Sequence, residues 1–113
     1  MNSKDLLALL DEAAIAVQTA LETFDRWGDG GERPDQYALD QVADSAVLEV
    51  LRPSGLSVLS EESGLVQGET RDLVIVDPVD GSTNASRRIP HYCTSLCGVD
   101  NKGPSAALVL NLA

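Results

Sequence analysis

Between Ser3 and Trp27 the apolar residues Leu6, Leu10, Ala13, Val17, Leu21 and Phe24 recur at intervals of three and four. That spacing lays them along one stripe of a helix, so it predicts an amphipathic α-helix over 3–27, with Ser3 as its cap and acidic residues early. The stretch "GDGGERPDQ" ends the pattern, because three glycines and a proline among charges read as an exposed loop. Periodicity returns at Leu39, Ala43, Ala46 and Val50, with Val42, Val47 and Leu51 widening the apolar face. This predicts a second helix, with Asp40 near its start and Pro53 and Gly55 stopping it.

Downstream the period shortens. "LSVL" is a short apolar run leading into "SEESG", and "VQGETR" reads as a polar turn. "DLVIVD" is β-branched and bounded by charge, the pattern of a buried strand. "YCTSLCGV" and "SAALVLNLA" predict two further strands joined by "DNKGP", which has turn chemistry. The predicted order is helix, helix and four strands, in one domain over 1–113. The last run is still apolar at Ala113, and with nothing to pack over it the chain is expected to be the N-terminal part of a longer protein.

Composition narrows the classes. The 113 residues, 23% charged and 43% hydrophobic, suit one globular domain. No apolar run approaches the roughly eighteen residues that span a bilayer. Lys4, Asp5, Asp11 and Glu12 interrupt what would be the apolar core of a signal peptide, so a cytoplasmic location without membrane association is expected. A net charge of −10 repels nucleic-acid phosphates and favours a cation as companion. Cys93 and Cys97 lie four residues apart on one predicted strand, roughly 13 Å. A disulfide needs Cα atoms within about 7 Å, so they are expected to be free thiols in the core.

The candidate chemistry is acidic. Asp40, then Glu61 with Glu62, then Asp77 with Asp80 stand where predicted elements begin or end. Magnesium is a hard cation, held by a few carboxylates while it keeps waters and substrate phosphate. In "DPVDG", Pro78 forces Asp77 into an extended conformation. A turn at Val79 would bring both carboxylates and the Val79 carbonyl to one point. "GSTN" then offers Gly81 for close backbone approach and Ser82, Thr83 and Asn84 to cap a short helix, whose free N–H groups attract anions. Cation and anion features side by side imply metal-bound phosphate. The same residue types also make ordinary turns; the order Asp, SEES, DPVDGSTN is far more specific than any one piece.

That order, in "YALDQVAD", "LSEESG" and "IVDPVDGSTN", resembles the inositol monophosphatase family of magnesium-dependent phosphatases, which includes fructose bisphosphatase and bisphosphate nucleotidase relatives. The likeness covers essentially the whole chain as the family's N-terminal portion. It implies an α/β layered fold in which a helix pair packs on a mostly antiparallel sheet. It makes Glu61, Asp77, Asp80 and the Val79 carbonyl metal ligands, and Gly81, Ser82 and Thr83 phosphate contacts. Ser82, hydrogen-bonded to Asp40, takes the place of a hydroxyl that orients and deprotonates the attacking water, and Glu62 buttresses the site. The implied activity is Mg2+-dependent hydrolysis of a small phosphomonoester, inositol monophosphate first. Histidinol phosphate, sugar bisphosphates and adenosine bisphosphate are the alternatives, and a homodimer is allowed for the complete protein.

This sequence departs from the family pattern in two ways. Ser60 stands where the family usually has glycine, and the family's further aspartate ligand, in a Trp-Asp motif, lies beyond these residues; Trp27 is not that motif. A rival reading is therefore a truncated relative that binds metal or anion without turnover, and a third is a purely structural acidic domain. His91, Arg87 and Arg88 read as surface residues, Asp40 also as a plain helix cap and Glu62 also as structural. Asp29, Asp35, Glu69 and Asp72 read as solvated loop charge. An uncovered apolar sheet face would leave the isolated chain poorly stable and prone to associate.

Overall fold

Asn2, not Ser3, caps the first helix in the computed structural model, which describes residues 1–113. Its side-chain oxygen accepts from the Asp5 N–H at 2.9 Å, satisfying one of the donors a helix start leaves free. Helix α1 (Ser3–Glu22) also stops short of the predicted end at Trp27. The Phe24 N–H turns back to the Leu21 carbonyl, and the Trp27 indole N–H donates to the Phe24 carbonyl at 2.6 Å. Phe24 and Trp27 thus extend the apolar pattern from a turn rather than from the helix. Helix α2 (Ala38–Leu51) matches its predicted span, and a 3₁₀ turn at Arg52–Ser54 containing Pro53 ends on Gly55.

Five strands follow, not four: β1 (Ser57–Ser60), β2 (Gly64–Val66), β3 (Leu73–Asp80), β4 (Cys93–Asp100) and β5 (Gly103–Asn111), with the short helix α3 (Ser82–Ser86) between β3 and β4. Strand β2 has only three residues, two of them exposed, so it carries no alternating apolar signal that the sequence could have revealed. The sheet order is β2-β1-β3-β4-β5. Every neighbouring pair is antiparallel except β1 with β3, which run parallel from Ser57↔Leu73 to Ser60↔Val76. That one parallel pair positions the site, because it releases the segments after Ser60 and Val76 at the same end of the sheet.

Helix α1 lies over β4 and β5, and α2 over β1 and β3. Leu10, Ala13 and Val17 of α1, Leu39, Ala43 and Val47 of α2, and Val58 and Val74 of the sheet are fully enclosed between the layers, with Leu96 nearly so. Gly98 lets α1 approach β4 closely, since a Cβ there would run into the Leu6 side chain. The opposite face of the sheet is bare. Strand β3 alternates between buried Val74 and Val76 and a 43% exposed Ile75, so it is covered on one side only rather than buried throughout. Cys93 and Cys97 share that outer face, free and half-buried, and are not core thiols. No helix is long and apolar enough to cross a membrane.

Candidate metal centre

Parallel pairing sets the Glu61 backbone beside the end of β3: the Glu61 N–H donates to the Val76 carbonyl at 3.2 Å. A strand alternates its side chains, so Asp77 and Asp80, three positions apart, would ordinarily point to opposite faces. Pro78 has no N–H for the ladder, and the β3–β4 register slips between Asp77↔Ser95 and Asp80↔Cys93. Three steps along β3 match two along β4. This bulge leaves both Pro78 and Val79 buried in succession and turns Asp77 and Asp80 toward one open cavity of about 380 Å³, which Glu61, Val79, Ser82 and Thr83 also line.

The tightest group is Glu61, Glu62 and Asp77, each offering a carboxylate oxygen within 4.8 Å of the others. Burial first, then the Glu61 carboxyl sharing a hydrogen bond and its charge, push Asp77 up to about 7. Its Oδ1 is buried with no hydrogen-bond partner. Glu62 is also raised, by burial above all. The only basic side chain that reaches this group is Arg33, whose guanidinium lies 3.2 Å from Glu62 Oε1 and donates to the Glu62 carbonyl at 2.7 Å. Gln36 adds a 2.7 Å hydrogen bond to the same carboxylate oxygen. Glu61, Asp77 and Asp80 have no ion-pair partner. An orphaned buried carboxylate oxygen among uncompensated acids fits a hard divalent cation, which prefers oxygen ligands.

Beside this group, the Ser82 hydroxyl lies 2.5 Å from Asp40 Oδ1 and 3.0 Å from the Val79 carbonyl. The hydroxyl has one proton, and the closer, charged acceptor takes it. Asp40 is 2% exposed and its other oxygen accepts the Tyr37 N–H at 2.9 Å, so it caps α2 and holds Ser82 at once. Gly81 precedes α3 at φ +95°, and a Cβ there would sit 2.7 Å from the His91 carbonyl oxygen. The ladder of α3 begins with the Ala85 N–H on the Gly81 carbonyl at 2.9 Å, so the amides of Ser82, Thr83 and Asn84 precede it. Tyr37 stands across the cavity, its phenol lowered in pKa by the side chains of Thr83 and then Ser86.

The fold therefore gathers Asp40, Glu61, Asp77, Val79, Asp80, Gly81, Ser82 and Thr83 around one opening. Within it Asp80 stays outside the tight carboxylate group, and Glu62 joins that group instead. His91, Arg87 and Arg88 are exposed, with Arg88 stacked 4.5 Å over the Trp27 ring. Sequence reasoning missed Arg33 and Gln36, which come from the Gly-rich loop and carry no local signal, and Tyr37, the residue at the start of α2. It also missed Asp44, although one helical turn separates it from Asp40 and that spacing was readable.

A family model described as the inositol monophosphatase family matches residues 6–113. A "Fructose-1,6-bisphosphatase/inositol-1-monophosphatase" of Archaeoglobus fulgidus is 39% identical over 86% of this chain and 40% of that protein. A "Nus factor SuhB" of Xylella fastidiosa is 35% identical over 65% of this chain and 27% of its own length. The solved inositol monophosphatase from Anabaena (Nostoc) superposes with a TM-score of 0.78 at 27% identity, covering 96% of this chain and 40% of that one. The chain thus spans less than half the length of these relatives.

Proposed function

Because the chain belongs to the inositol monophosphatase family, we propose that it supplies the metal- and phosphate-binding half of a magnesium-dependent phosphatase acting on a small phosphomonoester, inositol monophosphate first. The observation that carries this reading is the convergence of Glu61, Glu62 and Asp77 within 4.8 Å, with the buried Asp77 Oδ1 unpartnered. Glu61, Asp77, Asp80 and the Val79 carbonyl would hold the cation, with Glu62 braced behind them by Arg33 and Gln36. When bound, the ion supplies positive charge that polarises phosphoryl oxygens and lowers the pKa of water.

The chain's own groups then position the reactants. With its proton given to Asp40, the Ser82 oxygen keeps a lone pair to accept a hydrogen bond from the attacking water and so orient it in line. As that water is deprotonated, its proton has a path through Ser82 to Asp40, a carboxylate out of contact with bulk solvent. The amides ahead of the α3 ladder face the phosphate and stabilise charge on its oxygens. The name of the Archaeoglobus relative supports fructose 1,6-bisphosphate as a second substrate.

The test uses a chimera in which this chain continues into the remaining part of the Archaeoglobus relative, assayed with inositol 1-phosphate and fructose 1,6-bisphosphate in magnesium and in EDTA. Hydrolysis only with magnesium, abolished by Asp80→Asn in a folded chimera, is expected. Wild-type turnover by Asp80→Asn would refute the assignment, and the ratio of the two rates decides the substrate.

A further inference from the structure

Helix α2 reaches toward the site twice. One turn after Asp40, Asp44 Oδ1 accepts the Ser60 hydroxyl at 2.5 Å, and the Ser60 oxygen in turn accepts the Glu62 N–H at 3.1 Å. Asp44 is 7% and Ser60 3% exposed, and no basic side chain pairs with Asp44. A carboxylate buried without a counter-charge is costly, and here its interior contact is a single charge-assisted hydrogen bond. The order of donors runs one way, from the Glu62 amide to the Ser60 hydroxyl to Asp44, so each bond polarises the next. The turn it grips is the one that carries Glu61 and Glu62, which is also held by the Glu61 N–H on the Val76 carbonyl and by Arg33 and Gln36 on Glu62.

We infer that Asp44 and Ser60 form a positioning pair that fixes the direction in which Glu61 and Glu62 present their carboxylates, as Asp40 fixes Ser82 on the neighbouring loop. Two aspartates one helical turn apart thereby tie two acid-bearing loops, at the ends of the parallel strands β1 and β3, to one rigid helix. A glycine at position 60 offers no hydroxyl, so the second tie belongs to a serine-bearing chain such as this one. The inference rests on the proposed metal centre, and a structural staple between α2 and β1 is the competing account.

The experiment compares the 113-residue wild type with Ser60→Ala, Ser60→Thr and the double variant Asp44→Ala/Ser60→Ala, which leaves no orphaned carboxylate should Ser60→Ala fail to fold. Amide hydrogen exchange by NMR and magnesium binding by calorimetry are the readouts. Exchange at Glu62 should quicken about tenfold or more in Ser60→Ala while Val74 and Val76 stay as protected as before, and magnesium affinity should fall by about 10- to 100-fold. Ser60→Thr should restore both. Unchanged exchange at Glu62 would overturn the inference, as would exchange that quickens equally across the whole sheet, the mark of a staple. A wild type that binds no magnesium would sink the metal reading instead. In that event Glu62 exchange still decides: selective quickening rescued by threonine upholds the pair, and its absence overturns it.

Discussion

Replacing Asp77 with asparagine removes a carboxyl that burial, and then Glu61, push from 3.8 up to about 7. The folded chain holds that proton more tightly than the unfolded chain does. Its contribution to stability is therefore fully present below about pH 4 and is lost as pH rises through about 7. Taken at face value the displacement corresponds to about 4 kcal/mol, of which about two-thirds falls above pH 5. Asp77 keeps access to solvent, and screening reduces the expected effect between pH 5 and pH 8 to about 1 kcal/mol. Urea denaturation of both chains in EDTA at the two pH values measures it. The wild type should lose about 1 kcal/mol more than Asp77→Asn on going to pH 8, and the variant should be the more stable of the two there. Glu62, raised in the same direction, is present in both and cancels. Magnesium at about a hundred times its Kd should add about 2.7 kcal/mol to the wild type at pH 8 and less to the variant. Parallel pH profiles for the two chains would refute the reasoning.

Gly81→Ala combines φ +95° with a Cβ placed 2.7 Å from the His91 carbonyl oxygen, and should cost about 2 kcal/mol or more; an unmoved urea midpoint would contradict it. Leu10→Ala empties a fully buried position between α1 and the sheet, and should cost about 3 kcal/mol by the same assay. Arg33→Ala deprives Glu62 of its one cationic neighbour, so the Glu62 carboxyl should titrate at higher pH by carbon-13 NMR, and a fall would count against the assigned pairing. Thiol titration of the native chain without reductant should find both cysteines free, two reactive equivalents per chain, and none would indicate pairing that the sheet geometry does not provide.

The local pattern carried a good deal. The stripe from Leu6 to Leu21 and that from Leu39 to Leu51 specified two helices because each apolar side chain needs the same covered face every three or four residues. The run Asp72 to Asp77 specified a strand, but the turn expected at Val79 is a bulge within that strand, which continues to Asp80. The order of Asp40, Ser60–Ser63 and Asp77–Asn84 sufficed to assign the family, since those residue types at those separations are rare together.

What only the tertiary structure decided is which of those groups meet, and on which side. The parallel register of β1 on β3 brings Glu61 to Asp77, the bulge returns Asp80 to the same side, and the loop between the helices delivers Arg33 and Gln36 to Glu62. Ser82 finds Asp40 across 42 positions and Ser60 finds Asp44 across 16. Propensity and periodicity act over a turn or a strand, whereas such meetings depend on how whole elements bury their apolar faces against one another. The bare outer face of the sheet has the same origin: alternation along β3 and β4 was present in the chain, but packing of both helices on one side settled which half of it faces water.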